Sequence, residues 1–189
     1  EQAKQYAELA KQPGAVAKNE GDVNAAKSKA VKKIEVAYDL PYLSHSPMEP
    51  LNCVADVRAD SCEIWVGTQF QTADLMTAAF ITGLKPNQVK LHTTLLGGGF
   101  GRRGTLDSHF VSEAVQVSKA IKAPVKVVWT REDDIKGGYY RPKAHHKMSV
   151  GLDATGKPLY WEHNVVCQSF MIGTPMEAMM VQNGVDGLA

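Results

Sequence analysis

Seven consecutive residues of this 189-residue chain are suited to holding a bound group: Gly97, Gly98, Gly99, Phe100, Gly101, Arg102 and Arg103. Glycine has no Cβ atom, so a run of glycines lets the backbone lie directly against a ligand, at a cost of roughly 0.5–1 kcal/mol per residue relative to alanine. A bound cofactor or anion would offset that cost. The alternative is a glycine-rich turn that binds nothing, and spacing alone leaves both open.

The elements on either side predict where this glycine-rich loop lies. Residues 89–95 have the composition of a strand, and apolar residues recur at helical spacing after Asp107. That stripe consists of Phe110, Ala114, Val117 and Ile121. A loop between a strand and a helix presents free N–H groups beside the positive end of the helix dipole, which suits an oxyanion or a phosphate.

The loop does not match the two common phosphate-binding motifs. A P-loop ends in Gly-Lys-Ser/Thr, and a dinucleotide fingerprint needs Gly-x-Gly-x-x-Gly with an acidic residue further on. Gly99, Gly101 and Gly104 reproduce the second pattern only superficially. The loop therefore indicates a different type of ligand site.

Composition limits the class of protein. Hydrophobic residues make up 44% of the chain, which suits one domain with a substantial core. The formal net charge of +1 predicts no general attraction to nucleic acid. No apolar run approaches the ~20 residues of a membrane helix, so direct membrane insertion is not expected. We predict an N-terminal helix and polar linker over residues 1–20 and an α+β domain over residues 21–189.

Two cysteine-containing segments, residues 53–58 and 62–67, are typical of a β-hairpin. Pairing across the intervening turn predicts that three pairs of residues face each other. These pairs are Val57 with Cys62, Ala55 with Ile64 and Cys53 with Val66. The two cysteines then lie at opposite ends of one apolar face, which predicts core residues without a disulfide between them.

The remaining periodicity predicts helices alternating with strands. Helices are expected over residues 2–11, 23–33 (with Asp22 as N-cap) and 72–82 (with Gly83 after its end), and strands over 34–38, 125–129, 144–152 and 159–167. The helix over 72–82 is expected to bury Leu75, Met76, Ala79 and Phe80. This order indicates the α+β class, with helices packed on a mixed β-sheet.

The histidines and clustered acids do not form an obvious catalytic pattern. His145 and His146 are adjacent in a predicted strand, so they point to opposite faces and do not share a metal. His92, His109 and His163 are interpreted as structural or surface residues. The run of acids at 132–134 is expected to be a solvated turn.

Three ordered motifs carry a family resemblance: residues 45–53 (HSPMEPLNC), residues 65–69 (WVGTQ) and the glycine-rich loop. In this order they resemble the large subunit of molybdenum hydroxylases, in the xanthine dehydrogenase and aldehyde oxidase superfamily. The branch that includes isoquinoline 1-oxidoreductase beta subunits and related aldehyde dehydrogenases is the most similar. The resemblance implies a two-layer arrangement like that of a molybdopterin-binding domain.

The resemblance also implies a cofactor, a reaction and partners. The cofactor would be molybdenum held by molybdopterin, in the cytosine dinucleotide form that bacterial members use. The reaction would hydroxylate an N-heterocycle or oxidise an aldehyde, both small molecules, with water as the oxygen source. Electrons would leave through a separate small [2Fe-2S] subunit, which fits the absence of cluster-type cysteine spacing here.

Residue roles follow from the resemblance position by position. Gln69 would donate a hydrogen bond near a metal oxo group, and Phe100 and Gly101 would lie beside the molybdenum. The three preceding glycines would permit that approach. Arg102 and Arg103 would pair with pterin or phosphate oxygens.

Glu49 corresponds to a segment near the substrate chamber, where it lines the chamber or simply holds the neighbouring loop. Gly104 stands where the xanthine-oxidising branch carries a substrate-binding glutamate, so purine recognition in that manner is not expected.

The family's general base has no counterpart before Ala189, which predicts that this chain is a portion of a larger subunit and binds no cofactor alone. A different class of function also fits the residues: a non-catalytic module that holds an anion or nucleotide in the glycine-rich loop.

Overall fold

The computed structural model describes residues 1–187. Its helices are α1 (Gln2–Leu9), α2 (Val23–Lys27), α3 (Gln71–Thr82), α4 (His109–Ile121), α5 (Arg131–Lys136) and α6 (Glu177–Met180), with a 3-10 turn at Pro86–Gln88. Its strands are β1 (Lys32–Leu40), β2 (Asn52–Val57), β3 (Cys62–Val66), β4 (Val89–Thr93), β5 (Val125–Val128), β6 (Ala144–Leu152), β7 (Pro158–Cys167), β8 (Val181–Gln182) and β9 (Val185–Asp186). In this part of the chain no helix combines the length and apolar character needed to cross a membrane.

The chain forms two units, and one of them is the continuous segment Ser44–Arg141. The other joins Glu1–Leu43 to the segment from Pro142 onward. The boundaries between the two units follow Leu43 and Arg141, whereas the sequence predicts that a linker ends at residue 20. That linker boundary stays a prediction.

The Ser44–Arg141 unit is built on a mixed sheet of order β4-β3-β2-β5, in which only β3 and β4 run parallel. Helices α3 and α4 pack together, and α4 packs on β2. Alternation along the strands places one face of the sheet in the core with the inner faces of these helices. The predicted α+β class, with helices on a mixed sheet, is confirmed.

The predicted hairpin is confirmed in its register. Val57 pairs with Cys62, Ala55 with Ile64 and Cys53 with Val66, as the alternation required. Both cysteines are free and buried. Burial, with smaller contributions from neighbouring acidic groups, raises the pKa of Cys53 to about 12 and that of Cys62 to about 11.

Helix α3 turns a different face to the core from the predicted one, so that prediction is wrong for two of its residues. Met76 is 53% exposed and Phe80 is 88% exposed, whereas Ala78 and Asp74 are buried. Small side chains at the contact allow close packing of α4. Asp74 is held on that side because its carboxylate accepts a hydrogen bond from the Thr68 hydroxyl.

The α4 stripe is also only partly as predicted. Phe110 and Ala114 are buried, but Val117 and Ile121 are 43% and 58% exposed. The C-terminal half of the helix instead buries Val115 and Ser118, because the Ser118 hydroxyl accepts from the Val57 N–H at 2.9 Å.

The expectation of a solvated acidic turn at residues 132–134 is wrong for the turn and for Asp134, whereas Glu132 and Asp133 are exposed as expected. These residues belong to α5, which begins with a reciprocal capping box between Thr130 and Asp133. Asp134 is 2% exposed and forms an ion pair of 3.0 Å with Arg131.

The second unit is built on an antiparallel sheet of order β1-β6-β7. Helices α1 and α2 contact this sheet through β7, and α1 also contacts β6. Asp22 caps α2 by accepting from the Ala25 N–H at 2.9 Å, as predicted. The helix nevertheless ends at Lys27 instead of residue 33, because Lys32 already pairs with Leu152 in the sheet.

Candidate functional site

The glycine-rich loop lies between β4 and α4, as the sequence predicted. It reverses direction through left-handed backbone at Gly98 (φ +103°), Phe100 (φ +56°) and Gly101 (φ +97°). Phe100 is not a glycine, so its positive φ is a strained conformation that the surrounding contacts must maintain. Its ring is 73% exposed and stands at the surface of the unit.

Gln69 holds the loop from the end of β3. The side-chain Oε1 of Gln69 accepts from the backbone N–H groups of Gly101 at 3.0 Å and Arg103 at 3.3 Å. The backbone N–H of Gln69 donates to the Arg103 carbonyl at 3.0 Å. Because both side-chain partners are donors, the amide oxygen must face them. The NH₂ group has no acceptor within residues 1–187 and is open to a ligand.

Gly99 lies directly beneath the Gln69 amide. A Cβ atom at this position would stand 2.7 Å from Gln69 Cδ and 3.2 Å from a methyl carbon of Leu96. A side chain would therefore displace Gln69 from the loop. This close approach is the physical reason for glycine in the middle of the motif.

Three successive backbone donors of the loop remain unused. Within the described residues, the N–H groups of Gly98, Gly99 and Phe100 have no acceptor, whereas those of Arg102 and Gly104 donate to carbonyls inside the loop. Successive free N–H groups form a concave anion site. Together with the Gln69 NH₂ group, they give the loop four unused donors and no unused negative charge.

Glu49 fixes the start of the loop. Its carboxylate accepts from the Gly97 N–H at 2.8 Å, from Asn52 Nδ2 at 2.8 Å and from Arg103 Nη2 at 3.0 Å. Burial by itself would raise the pKa of Glu49. The hydrogen bonds from Gly97 and Asn52 and the charge of Arg103 outweigh burial and lower the pKa. Glu49 therefore acts as a charged clamp on the loop.

Arg103 is an internal cross-link, with a side chain that is 0% exposed. Its Nε donates to the Gly98 carbonyl at 2.9 Å, its Nη1 to the Gly67 carbonyl at 3.1 Å and its Nη2 to the Glu49 carbonyl at 2.9 Å. Contact with a pterin or phosphate, as the resemblance implied, would require this network to open. The guanidinium in this structure instead sets the loop conformation.

Arg102 is buried on the opposite side of the loop. Its Nη1 lies 2.7 Å from His109 Nε2, and its guanidinium carbon lies 5.2 Å from the centre of the Trp129 ring. Since arginine only donates, His109 accepts here and carries its proton on Nδ1. Burial and then the charge of Arg102 lower the pKa of His109.

The Arg102 side chain keeps unused donors. Nε and Nη2 have no partner among the described residues, although Arg102 is only 1% exposed. A buried guanidinium with two unpartnered nitrogens is suited to oxygen acceptors. Arg102 can therefore still donate hydrogen bonds to cofactor oxygens, as the resemblance implied. Most N–H groups of the Arg103 guanidinium already donate to the loop and to Glu49.

Several residues that support the site are not indicated by the sequence pattern. Arg131 Nη2 donates to the carbonyls of Pro47 at 2.7 Å and Met48 at 2.8 Å, which ties the first motif to α5. The signal for α5 was present in the spacing of Thr130 and Asp133, which matches a capping box. No local pattern indicated the stacking of Arg102 on Trp129.

The chain belongs to the molybdopterin cofactor-binding domain family, whose model matches residues 8–186. It is 36% identical over 143 residues to the isoquinoline 1-oxidoreductase subunit beta of Brevundimonas diminuta, covering 75% of this chain and 18% of that protein. It is 28% identical over 162 residues to the aldehyde oxidoreductase molybdenum-binding subunit of Escherichia coli (strain K12), covering 86% of this chain and 22% of that protein. The chain therefore spans about a fifth of the length of these relatives.

Solved structures share the fold. The aldehyde oxidoreductase of Desulfovibrio gigas matches with a TM-score of 0.58 and 20% identity, over 78% of this chain and 16% of that one. The quinoline 2-oxidoreductase of Pseudomonas putida 86 matches with a TM-score of 0.59 and 18% identity, over 81% of this chain and 20% of that one. The predicted likeness to a molybdopterin-binding domain is confirmed.

Proposed function

We propose that this chain is part of the molybdenum cofactor-binding subunit of an oxidoreductase. The reaction is the hydroxylation of an N-heterocycle or the oxidation of an aldehyde, with water as the oxygen source. Family membership and the printed activities of the relatives support this proposal. The alternative, a non-catalytic anion or nucleotide module, draws no support from them.

The observation that carries the proposal is the orientation of the Gln69 amide. Its oxygen is fixed by two loop N–H groups, which leaves its NH₂ group free to donate to a ligand. A neutral donor set of this type fits the oxygen ligands of a metal–oxo centre and adds no charge to it. Gln69 and Leu96 leave no room for a side chain at Gly99, so the backbone there can lie close to the cofactor.

When bound, the molybdenum–pterin cofactor supplies the two-electron redox chemistry. Gln69 would hold it through the amide NH₂ group, and the unused N–H of Phe100 would supply a further donor. The exposed Phe100 ring would restrict the direction from which a small substrate approaches, and Glu49 would lie near the substrate chamber. Arg102 would offer its unpartnered Nε and Nη2 to pterin or phosphate oxygens of the cytosine dinucleotide form.

The proposed partners are the remainder of the large subunit and a small [2Fe-2S] subunit. The sequence has no cluster-type cysteine spacing, which fits a separate electron-carrying subunit. The residue 1–20 helix and linker precede the cofactor-binding region, residues 21–189, in this proposal.

Replacement of Gln69 by alanine in the intact, cofactor-loaded enzyme tests the proposal. We expect reduction of the enzyme by substrate, followed anaerobically by stopped flow, to slow by about tenfold or more, because a hydrogen bond to a charged group is lost. Gln71→Ala is the matched control, since Gln71 is exposed at the start of α3. An unchanged reduction rate in Gln69→Ala at full molybdenum content would contradict the assigned role.

A further inference from the structure

Two histidines meet on one face of the β1-β6-β7 sheet. His146 on β6 pairs with Val165 of β7, and His163 of β7 pairs with Met148 of β6. Since side chains alternate along strands, His146 and His163 are diagonal neighbours on the same face. From sequence alone His163 is interpreted as a structural or surface residue, and no local pattern indicates this pair.

The two rings are placed for joint ligation. His146 Nδ1 lies 3.0 Å from His163 Nε2, and the ring centroids are 5.2 Å apart at an interplanar angle of 25°. Two nitrogens bound to one metal ion at about 2.0–2.1 Å stand roughly 2.9–3.4 Å apart for coordination angles between square and tetrahedral. The observed separation falls within that interval.

The face that carries the pair is open in this unit. Helices α1 and α2 reach the other face, where Lys27 pairs with Glu162 at 2.8 Å and Asn164 donates to the Ala10 carbonyl. On the histidine side, Tyr38 is 52% exposed and Trp161 is 60% exposed. An ion from solvent therefore has access to both rings.

We propose that His146 and His163 form a bidentate site for one transition-metal ion, with copper(II) as the best match. Imidazole nitrogens suit late first-row ions, and affinity in that series peaks at copper(II). Residues 1–187 contain no group of three or more His, Cys, Asp or Glu side chains that could hold a metal, so water completes the coordination. This unit does not contain the glycine-rich loop, so the proposed copper site shares no residue with that loop.

The hydrogen bond between the two rings is compatible with metal binding. In the free pair one ring donates and the other accepts. Metal binding replaces this hydrogen bond after a change of tautomer in the donor ring, with no net loss of a proton.

Copper(II) titration of the 189-residue chain without an affinity tag tests the site. We expect one ion per chain by calorimetry and nitrogen splitting from two imidazoles in the electron paramagnetic resonance spectrum. His163→Gln and His146→Gln should each lose one nitrogen and bind at least about tenfold more weakly. His92→Gln is the matched control, because His92 pairs with Glu63 in the other unit.

Wild-type affinity in both pair variants would overturn the proposal, as would a wild-type spectrum with a single imidazole nitrogen. Circular dichroism at the titration temperature establishes that each variant is folded. His163 is at the surface, so His163→Gln keeps the test informative if His146→Gln loses its fold. Neither outcome depends on the activity of a molybdenum enzyme, so failure of the copper site leaves the proposed function untouched.

Discussion

The carboxylate of Glu49 and the guanidinium of Arg103 meet at 3.0 Å across 54 residues of sequence. Arg103 is fully buried, whereas the Glu49 side chain is 37% exposed. The pair joins the segment before β2 to the end of the glycine-rich loop. The shape of the loop therefore depends on an ion pair as well as on its glycines.

Glu49→Gln should destabilise the chain by about 1–3 kcal/mol, because the buried Arg103 charge loses its anionic partner. Urea unfolding followed by tryptophan fluorescence measures the change in the free energy of unfolding. Glu20→Gln is the matched control, since Glu20 forms only an exposed pair with Lys18 and should change stability by less than about 0.5 kcal/mol. Equal effects of the two substitutions would contradict the clamp role.

The Glu49 contribution should depend on pH in a defined direction. The folded-state pKa lies below the usual 4.5, so the stabilisation is complete above that value and is lost as pH falls through the folded pKa. The difference in unfolding free energy between wild type and Glu49→Gln should be constant from about pH 5 to 7. It should shrink below about pH 4.5, where Glu49 in the unfolded chain and then in the folded chain becomes neutral like glutamine.

A pH series of urea titrations on both proteins checks this direction. A difference that grows on acidification would contradict the lowered pKa.

Gly99→Ala should displace the Gln69 amide and cost about 1–3 kcal/mol, because the new Cβ overlaps the amide carbon. Hydrogen exchange of the Gly101 N–H should accelerate at the same time, since its acceptor is Gln69 Oε1. Gly14→Ala is the control, because no atom lies within 4 Å of a Cβ there.

A double-mutant cycle sharpens the Gly99 prediction. In a Gln69→Ala background the overlap is relieved, so Gly99→Ala should cost less than in the wild-type chain. Equal costs in the two backgrounds would show that Gln69 does not lie over Gly99.

Thiol labelling should distinguish the hairpin cysteines from Cys167. Cys53 and Cys62 are buried with pKa values raised to about 12 and about 11, so a thiol reagent at about pH 8 should label them only after unfolding. Burial also raises the pKa of Cys167, but this thiol is only half-buried, so it should react in the folded chain, more slowly than a free thiol. Mass spectrometry assigns the label, and Cys167→Ser should abolish native labelling. Rapid labelling of Cys53 in native conditions would contradict the hairpin core.

The strand register of the hairpin and the ends of two helices could be predicted from the sequence alone. Period-two alternation set the register of Cys53 opposite Val66, because a shift by one residue would turn every apolar side chain outward. The Asp22 cap and the left-handed Gly83 at the end of α3 followed from local backbone chemistry. The motif order also sufficed to place the chain in its family.

Only the tertiary structure determines which face of α3 is buried and which groups the Arg103 guanidinium contacts. Phe80 is exposed and Asp74 buried because the neighbouring α4 and Thr68, not the apolar pattern of α3, determine what the helix faces. Arg103 anchors the loop because Glu49, distant in sequence, lies beside it in the fold. Sequence periodicity determines the contacts within a helix or between neighbouring strands. Contacts between segments that are distant in sequence form only when the chain packs. The hydrogen bonds that orient the Gln69 amide belong to these distant contacts, because their donors lie more than 30 residues further along the chain.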